Sequence, residues 1–261
     1  MKTTLLVSTY NWPEALELVF KSVENQSLKP DEFLIADDGS KPETKKLIDT
    51  YIQKTTIPVV HIWHEDLGFR RSSILNKAIA KATGDYIIQT DGDCILHKDF
   101  MKDHKNNAEE NCYLFGSRVS ILEPFLEELF RRKKIWFHFF SKGIKKRGRT
   151  LRIPFLAKRN TPKSELSHKL RGCNLSFWKK DFIAVNGYNE AMTGWGREDS
   201  ELMVRMLNNG IKGKRLKFGG IVYHIWHKTA SKHNFNKNDQ IQKEAMEKKL
   251  KWCEDGINKY L

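Results

Sequence analysis

Residues 86–93 have the sequence Tyr-Ile-Ile-Gln-Thr-Asp-Gly-Asp, in which a short apolar run ends on two aspartates that flank a glycine. The apolar part predicts a buried strand, because it is bounded by turn-forming residues and is too short for a helix. The same arrangement occurs earlier, where residues 33–36 precede Asp37-Asp38-Gly39-Ser40. Each of these acidic segments alone is typical of a turn. Two of them, each directly after a predicted strand, together favour a functional site.

Strands and helices alternate on both sides of this segment. Helical patterns over 13–25, 41–53 and 71–82 separate four apolar runs, which predict strands over 4–8, 33–36, 59–63 and 86–89. This alternation predicts an α/β fold with βαβ units and a mostly parallel sheet flanked by helices. Ligands bind at the carboxyl ends of strands in such sheets. The polar residues that follow the strands are therefore expected to share one site.

The length and composition indicate a folded protein of one large α/β domain or two small ones. The chain has 261 residues, of which 39% are hydrophobic and 30% charged, so a substantial core is expected. No run of about 18 apolar residues is present, and the first eight residues do not form a secretory signal. We therefore expect a cytoplasmic protein. The four cysteines are scattered and predict reduced, structural thiols.

The net charge of +14 comes from one segment of the chain. Between Arg131 and Arg171 there are 15 Lys and Arg residues and one acid, Glu165, whereas the remainder has 31 residues of each sign. The same segment contains the aromatic run 135–140. Basic residues beside aromatic ones suit the surface of an anionic membrane. We expect residues 120–169 to form a basic insert on the inner face of the cell membrane; the alternative is an acceptor-binding flap.

Two other ligand classes are disfavoured by the sequence. Neither G-x-G-x-x-G after the first strand nor G-x-x-x-x-G-K-[ST] occurs, which argues against a dinucleotide dehydrogenase and a P-loop kinase. A nucleic-acid-binding protein would use the basic segment. That segment is separate from the carboxylates, which would repel phosphates in the absence of a metal. We therefore expect no nucleic-acid partner.

The second half of the chain contains the most unusual segment, residues 194–202, with the sequence Gly-Trp-Gly-Arg-Glu-Asp-Ser-Glu-Leu. The indole of Trp195 suits the face of a sugar ring, and carboxylates at the start of a helix are stabilised as anions. An ionised carboxylate is what a general base requires. The alternative is a capped helix beside a core tryptophan. His224 follows an apolar run and, as a neutral imidazole, would add a third metal ligand to Asp91 and Asp93.

Taken together, these segments resemble the inverting family 2 glycosyltransferases, which have the Rossmann-like GT-A fold. The resemblance points to the bacterial branch whose C-terminal half is like that of galactosyltransferases and chondroitin polymerases. It covers roughly residues 3–119 and 170–228 and rests on six segments in the family's order: 7–11, 36–40, 91–93, 186–190, 194–199 and His224. The resemblance implies a nucleoside-diphosphate sugar as donor, with uridine expected, a Mn²⁺ or Mg²⁺ ion, and a glycan or glycolipid acceptor.

The resemblance also implies a role for each matching residue. The donor site would comprise Ser8, Tyr10, Asp38, Asp91 and Gly92. Arg70 or Arg71 would face the diphosphate, because Leu75-Asn76 stands where many relatives have Arg-Asn. The metal site would comprise Asp91, Asp93, His224 and His227. The acceptor would contact Trp195, Glu198 and Asn174, and Asp199 would be the catalytic base.

The sequence therefore predicts four parts along the chain. They are a nucleotide-sugar-binding half (1–119), the basic insert (120–169), an acceptor-binding and catalytic half of the same domain (170–235) and a C-terminal helix (236–261). The expected activity belongs to the synthesis of bacterial surface polysaccharide or lipopolysaccharide. The alternative of an inactive carbohydrate-binding domain is disfavoured by the intact Asp91, Asp93, Asp199 and His224.

Overall fold

The computed structural model describes residues 1–228, 231 and 233–261. The strands are β1 (Thr3–Thr9), β2 (Glu32–Asp37), β3 (Val59–Trp63), β4 (Tyr86–Asp91), β5 (Cys94–Leu96), β6 (Cys112–Phe115), β7 (Arg118–Ile121), β8 (Ile144–Lys145), β9 (Asn174–Trp178), β10 (Lys212–Arg215) and β11 (Val222–His224). The helices are α1 (Pro13–Glu24), α2 (Pro42–Ile52), α3 (Arg71–Lys81), α4 (Phe100–Asn107), α5 (Leu126–Arg132), α6 (Pro154–Lys158), α7 (Lys179–Ala184), α8 (Glu198–Asn208) and α9 (Phe235–Glu247).

Seven strands form one sheet in the order β10-β6-β9-β4-β1-β2-β3. All neighbouring pairs are parallel except those of β9, which runs antiparallel between β4 and β6. The predicted α/β class and mostly parallel sheet are confirmed. The ends of the four strands and three helices predicted before residue 92 differ from the structure by no more than two residues.

Both faces of the sheet are covered, which explains why its strands are apolar on both sides. Successive side chains of β1 point to opposite faces. Leu6 packs in one cluster with Ile74 of α3 and Met203 of α8. Leu5 packs on the other face with Leu16 of α1. The strands are thus fixed between helix layers, and their carboxyl ends are left free to build a site.

The basic insert is partly packed on a second sheet of order β5-β11-β7-β8. Ile135 and Phe137 are buried in the core of this region, and the Tyr223 hydroxyl donates a hydrogen bond to the Phe137 carbonyl at 2.9 Å. Trp136 and Phe140 are 49% and 80% exposed. The aromatic run 135–140 therefore divides between the core and the surface.

The predicted helix over 236–261 is wrong in extent. Helix α9 ends at Glu247, and a 3₁₀ turn over Ile257–Tyr260 closes the chain. The Asn186 side chain donates a hydrogen bond to the Cys253 carbonyl at 2.7 Å, and Ile257 N donates to the Asn186 carbonyl at 2.9 Å. A Cβ added to Gly256 would lie 1.9 Å from that carbonyl oxygen. This close packing holds the tail against the loop after α7.

Among the described residues, no helix combines the length and apolar character needed to cross a membrane.

Candidate active site

The carboxyl ends of β1, β2 and β4 meet at one edge of the large sheet. The register pairs Ser8 with Asp91 and Thr9 with Asp37. The Ser8 hydroxyl donates to Asp91 Oδ1 at 2.9 Å, and the Gly92 amide donates to the Ser8 carbonyl at 2.7 Å. A Cβ added to Gly92 would lie 3.0 Å from the Ser8 carbonyl oxygen and from Thr9 Oγ1. A larger side chain at position 92 would therefore be crowded by β1, which favours glycine there.

Arg71, at the start of α3, joins the two halves of the cleft. Its Nη2 donates to Asp91 Oδ1 at 2.8 Å, and its Nη1 donates to Asp199 Oδ1 at 3.0 Å. Nη1 also lies 3.6 Å from Glu198 Oε1. Burial opposes the charge of Arg71, but the carboxylates outweigh it and raise the pKa of the guanidinium. Arg71 therefore lies between Asp91 and Asp199, whereas Arg70 contacts Asp38 through its backbone amide.

Asp199 lies in the first turn of α8, where the helix dipole favours a negative charge. The Tyr188 hydroxyl donates to Asp199 Oδ1 at 3.0 Å. Asp199 Oδ2 faces Gly172, where an added Cβ would lie only 1.7 Å away. Asp199 Oδ2 has no hydrogen-bond partner among the described residues. This oxygen is the one available to a ligand.

Glu198 precedes Asp199 and differs from it in environment. Its side chain is buried, and its Oε2 accepts a hydrogen bond from the Gly196 amide at 2.9 Å. Burial and then the charge of Asp199 raise the pKa of Glu198 to about 7. Glu198 is therefore partly protonated near neutral pH and able to donate a hydrogen bond.

Asp93, His224 and His227 form a group that could hold a metal ion. Asp93 Oδ2 lies 3.4 Å from His224 Nε2 and 3.2 Å from His227 Nε2, and the three ligand atoms lie within 4.8 Å of one another. Burial lowers the pKa of His224, whereas the hydrogen bond to Asp93 raises that of His227. One carboxylate and two imidazoles suit a first-row divalent ion. Asp91 is not part of this group, and its Oδ1 binds Arg71 and Ser8.

The residues expected around the nucleoside lie at the end of β2. Asp38 is buried, and its two oxygens contact His64 Nε2 at 2.7 Å and the Arg70 amide at 3.0 Å. Tyr10 is half exposed and donates to Asp66 Oδ2 at 2.8 Å. The burial and partners of Asp38 fix its carboxylate, and the exposed Tyr10 ring offers a surface for a planar group.

Trp195 lies beside a cavity of about 450 Å³ that is lined by residues of the 67–70 loop and of the 193–195 loop, together with Asn234. Its ring stacks on Phe235 with centroids 6.3 Å apart. The cavity borders Arg70, so it adjoins the cleft that contains Arg71. An exposed indole in such a cavity offers a face for a sugar ring.

One expected site residue does not line the cleft. Asn174 is fully buried, and its Nδ2 donates to the carbonyls of Ser117 and Gly220. Its Oδ1 contacts His104 Nε2 at 3.1 Å. The expectation that Asn174 contacts an acceptor is therefore wrong, because its whole amide is used to join β9 to neighbouring loops.

Sequence reasoning missed three residues that shape the cleft: His64, Gly172 and Tyr188. Tyr188 belongs to the segment 186–190, so its place in the motif was a usable signal. Gly172 follows the basic segment, and only the fold shows that it touches Asp199. His64 follows β3 without any motif, and no sequence signal marks its contact with Asp38.

Two family models match the chain. Residues 4–168 match the model described as glycosyl transferase family 2, and residues 156–228 match that described as N-terminal domain of galactosyltransferase. The first match spans more than half of the sequence. The second bears out the expected likeness of the C-terminal half to galactosyltransferases.

Curated relatives show similarity over most of this chain. Validoxylamine A glucosyltransferase of Streptomyces hygroscopicus subsp. limoneus is 25% identical over 231 residues, which cover 80% of this chain and 48% of the relative. GalNAc(5)-diNAcBac-PP-undecaprenol beta-1,3-glucosyltransferase of Campylobacter jejuni is 23% identical over 194 residues, covering 74% of this chain and 56% of the relative. The chain spans about half the length of the curated relatives it matches.

Solved structures share the fold at lower sequence identity. Mannosyltransferase PcManGT from Pyrobaculum calidifontis, solved with GDP-Man and Mn²⁺, has a TM-score of 0.61 and 16% identity, over 87% of this chain and 57% of that one. Residues 1–349 of Staphylococcus aureus TarS, solved with UDP, give a TM-score of 0.62 and 16% identity, over 93% of this chain and 64% of that one. The chain has the GT-A fold and belongs to glycosyl transferase family 2.

Proposed function

We propose that this chain is a metal-dependent inverting glycosyltransferase, which moves a sugar from a nucleoside diphosphate to a hydroxyl group of a glycan or glycolipid. The observation that carries the proposal is the double contact of Arg71 with Asp91 and Asp199. It puts the proposed donor edge and the proposed base in one cleft. Uridine is the proposed nucleoside, and surface polysaccharide or lipopolysaccharide of a bacterium is the proposed product.

The donor would enter along the ends of β1, β2 and β4. Tyr10 would offer its exposed ring to the base, and Asp38 would accept a hydrogen bond from the nucleoside. Arg71 would exchange its contact with Asp91 for the diphosphate, because guanidinium groups bind phosphate oxygens in pairs. A solved neighbour bound to UDP and another bound to GDP-Man support a nucleotide as part of the donor.

Asp93, His224 and His227 would hold Mn²⁺ or Mg²⁺. When bound, the ion would neutralise negative charge that develops on the departing diphosphate. The neutral form of His224, favoured by its burial, is the form that ligates a metal. The Mn²⁺ ion in the structure of a neighbour is consistent with this assignment.

Asp199 would remove the proton of the acceptor hydroxyl while the hydroxyl oxygen attacks the anomeric carbon. Tyr188 and Arg71 both hydrogen bond to Oδ1, so these contacts orient the carboxylate and leave Oδ2 for the acceptor. Attack opposite the leaving diphosphate inverts the anomeric configuration. Trp195 and the partly protonated Glu198 would position the acceptor sugar.

The exposed aromatics of the insert support a proposed place on the inner face of the cell membrane. Trp136 and Phe140 are exposed and follow the basic residues 131–134 in the sequence. Two of these bases already pair with acids, Arg132 with Glu128 and Lys133 with Glu17. The aromatic side chains are therefore the more direct candidates for contact with lipid.

The experiment that tests the proposed activity is a screen of nucleoside-diphosphate sugars for hydrolysis, with Mn²⁺ and with excess EDTA. We expect slow release of nucleoside diphosphate from at least one donor in Mn²⁺ only. An Asp93→Ala variant should lose this release. Equal hydrolysis in EDTA would contradict the metal assignment. Absence of hydrolysis and of nucleotide binding for every donor would favour an inactive carbohydrate-binding domain.

A further inference from the structure

Five basic side chains gather at one end of the cleft and have no role in the proposed reaction. They are Arg118 of β7, Lys146 just before the 3₁₀ helix Arg147–Thr150, Arg149 within that helix, Arg171 in the loop before β9 and Arg215 at the end of β10. Arg149 Nη1 donates to the Arg118 carbonyl at 2.9 Å, and Arg215 Nη2 donates to Ser117 Oγ at 3.1 Å. The fold therefore brings together bases that are far apart in sequence.

None of the bases of this cluster forms an ion pair with a carboxylate among the described residues, although Cys173, Cys94 and then Asp93 outweigh the burial of Arg118 and raise its pKa. Nearby, Arg132, Lys133 and Arg152 each form an ion pair with a carboxylate. Arg215 Nε is buried without a hydrogen-bond partner. Burial, followed by repulsion from the other bases of the cluster, lowers the pKa of Lys146 and of Arg149.

The cluster includes the residue before Gly172, which touches the proposed base, and Arg118, which lies near Asp93; it lies away from the proposed nucleoside site. Arg171 is adjacent to Gly172, the residue that touches Asp199. Arg215 ends β10, which is separated from β4 by β9 and β6. Three steps between neighbouring strands amount to about 14 Å. Asp38 follows β2, on the other side of β4, so a nucleoside at Asp38 and a ligand at the cluster would lie on opposite sides of Asp91.

We propose that Arg118, Lys146, Arg149, Arg171 and Arg215 form an anion subsite that binds a phosphate group of the acceptor. The inference rests on the proposed function and specifies the acceptor as a phosphorylated glycan or glycolipid. A phosphate carries up to two negative charges and three acceptor oxygens, which matches several converging guanidinium groups. Because Arg171 directly precedes Gly172, which touches Asp199, a phosphate bound to Arg171 would lie on the acceptor side of the cleft.

The test compares two double variants by calorimetry. Lys146→Asn with Arg149→Gln removes two exposed bases of the cluster, and asparagine suits the positive φ of 62° at Lys146. Lys142→Ser with Lys145→Gln removes the same charge from the same segment outside the cluster. Glucose 1-phosphate is titrated into each protein, with and without saturating UDP and Mn²⁺. Thermal unfolding confirms that all three proteins are folded.

We expect glucose 1-phosphate to bind the unaltered chain and the control, and to bind the cluster variant about tenfold or more weakly, the effect of losing one charge-assisted hydrogen bond. UDP affinity should be equal in all three proteins. No binding by the unaltered chain, or equal binding by the cluster variant, would overturn the proposal. Binding of glucuronate as strong as that of glucose 1-phosphate would also overturn the proposal, because it would indicate a carboxylate rather than a phosphate ligand. Weaker UDP binding by the cluster variant would instead assign the bases to the donor.

The UDP titration separates failure of the anion subsite from failure of the proposed function. If UDP binds and glucose 1-phosphate does not, the subsite is wrong and the nucleotide site stands. If neither binds the unaltered chain, both are contradicted.

Discussion

At the scale of single residues, the cleft depends on one cation among three carboxylates. Arg71 contacts Asp91 and Asp199 and lies near Glu198. Removing one member of such a charge network leaves the charges of the others uncompensated. The four side chains therefore depend on one another. Asp199 and Glu198 are adjacent in sequence, yet hydrogen bonds orient the first and burial raises the pKa of the second. Their different environments explain how neighbouring acids take different roles.

The raised pKa of Glu198 predicts a pH-dependent stability. The folded protein holds the Glu198 proton to about pH 7, whereas the unfolded chain releases it near the ordinary value of 4.5. The folded state therefore binds more protons in this interval, and the free energy of unfolding should fall as pH rises from about 4.5 to 7. The contribution is on the order of 3 kcal/mol across that window.

Urea unfolding of the unaltered chain and of Glu198→Gln at pH 5, 6, 7 and 8 measures this contribution. The free energy of unfolding of the unaltered chain should fall relative to that of Glu198→Gln as pH rises to about 7. The difference between the two proteins should stay constant at higher pH. Parallel stability curves would show that Glu198 titrates alike in both states and would contradict the assigned pKa.

At the scale of elements, the antiparallel strand β9 positions the backbone that contacts the proposed base. Gly172 precedes this strand, and a Cβ added there would lie 1.7 Å from Asp199 Oδ2. Gly172→Ala should displace Asp199 and reduce transfer by about 10²-fold, because small errors in position are costly in catalysis. UDP affinity in Mn²⁺ should be unchanged.

The matched control is Gly148→Ala, since an added Cβ there meets no atom within 4 Å. Similar kinetics for both variants would contradict the contact.

The sequence predicted strands β1 to β4 well, because each of these strands is a separate apolar run and the helices between them follow directly in the sequence. Each of β1 to β4 is an apolar run bounded by turns, and the intervening helices have clear periodicity. The insertion of β9 between β4 and β6 could not be read in the same way, because pairing of distant strands leaves no periodic signal. For the same reason the burial of Asn174 was missed: its partners Ser117 and Gly220 are remote in sequence.

At the scale of the whole molecule, the exposed aromatics of the insert predict binding to anionic membranes. A variant with Trp136→Ser and Phe140→Ser should sediment less with vesicles that contain anionic lipid, because both side chains are exposed. Binding of the unaltered chain should weaken at high salt, where charges are screened. Trp252→Ser removes an equally exposed indole elsewhere and serves as the control. Equal sedimentation of all three proteins would exclude the aromatic run from membrane contact.

The central claim for the molecule as a whole is that donor binding and proton removal are separate tasks of one cleft. Asp91 and the Asp93 group would serve the donor, and Asp199 the acceptor. Asp199→Asn keeps the size of the side chain and removes its ability to accept a proton. The measurement is the rate of donor hydrolysis in Mn²⁺, with water as acceptor, beside the calorimetric affinity for UDP.

We predict that Asp199→Asn hydrolyses the donor about 10²–10⁴-fold more slowly, the usual cost of losing a general base, and binds UDP as the unaltered chain does. An unchanged rate, or a UDP affinity that falls as far as the rate, would contradict Asp199 as the base.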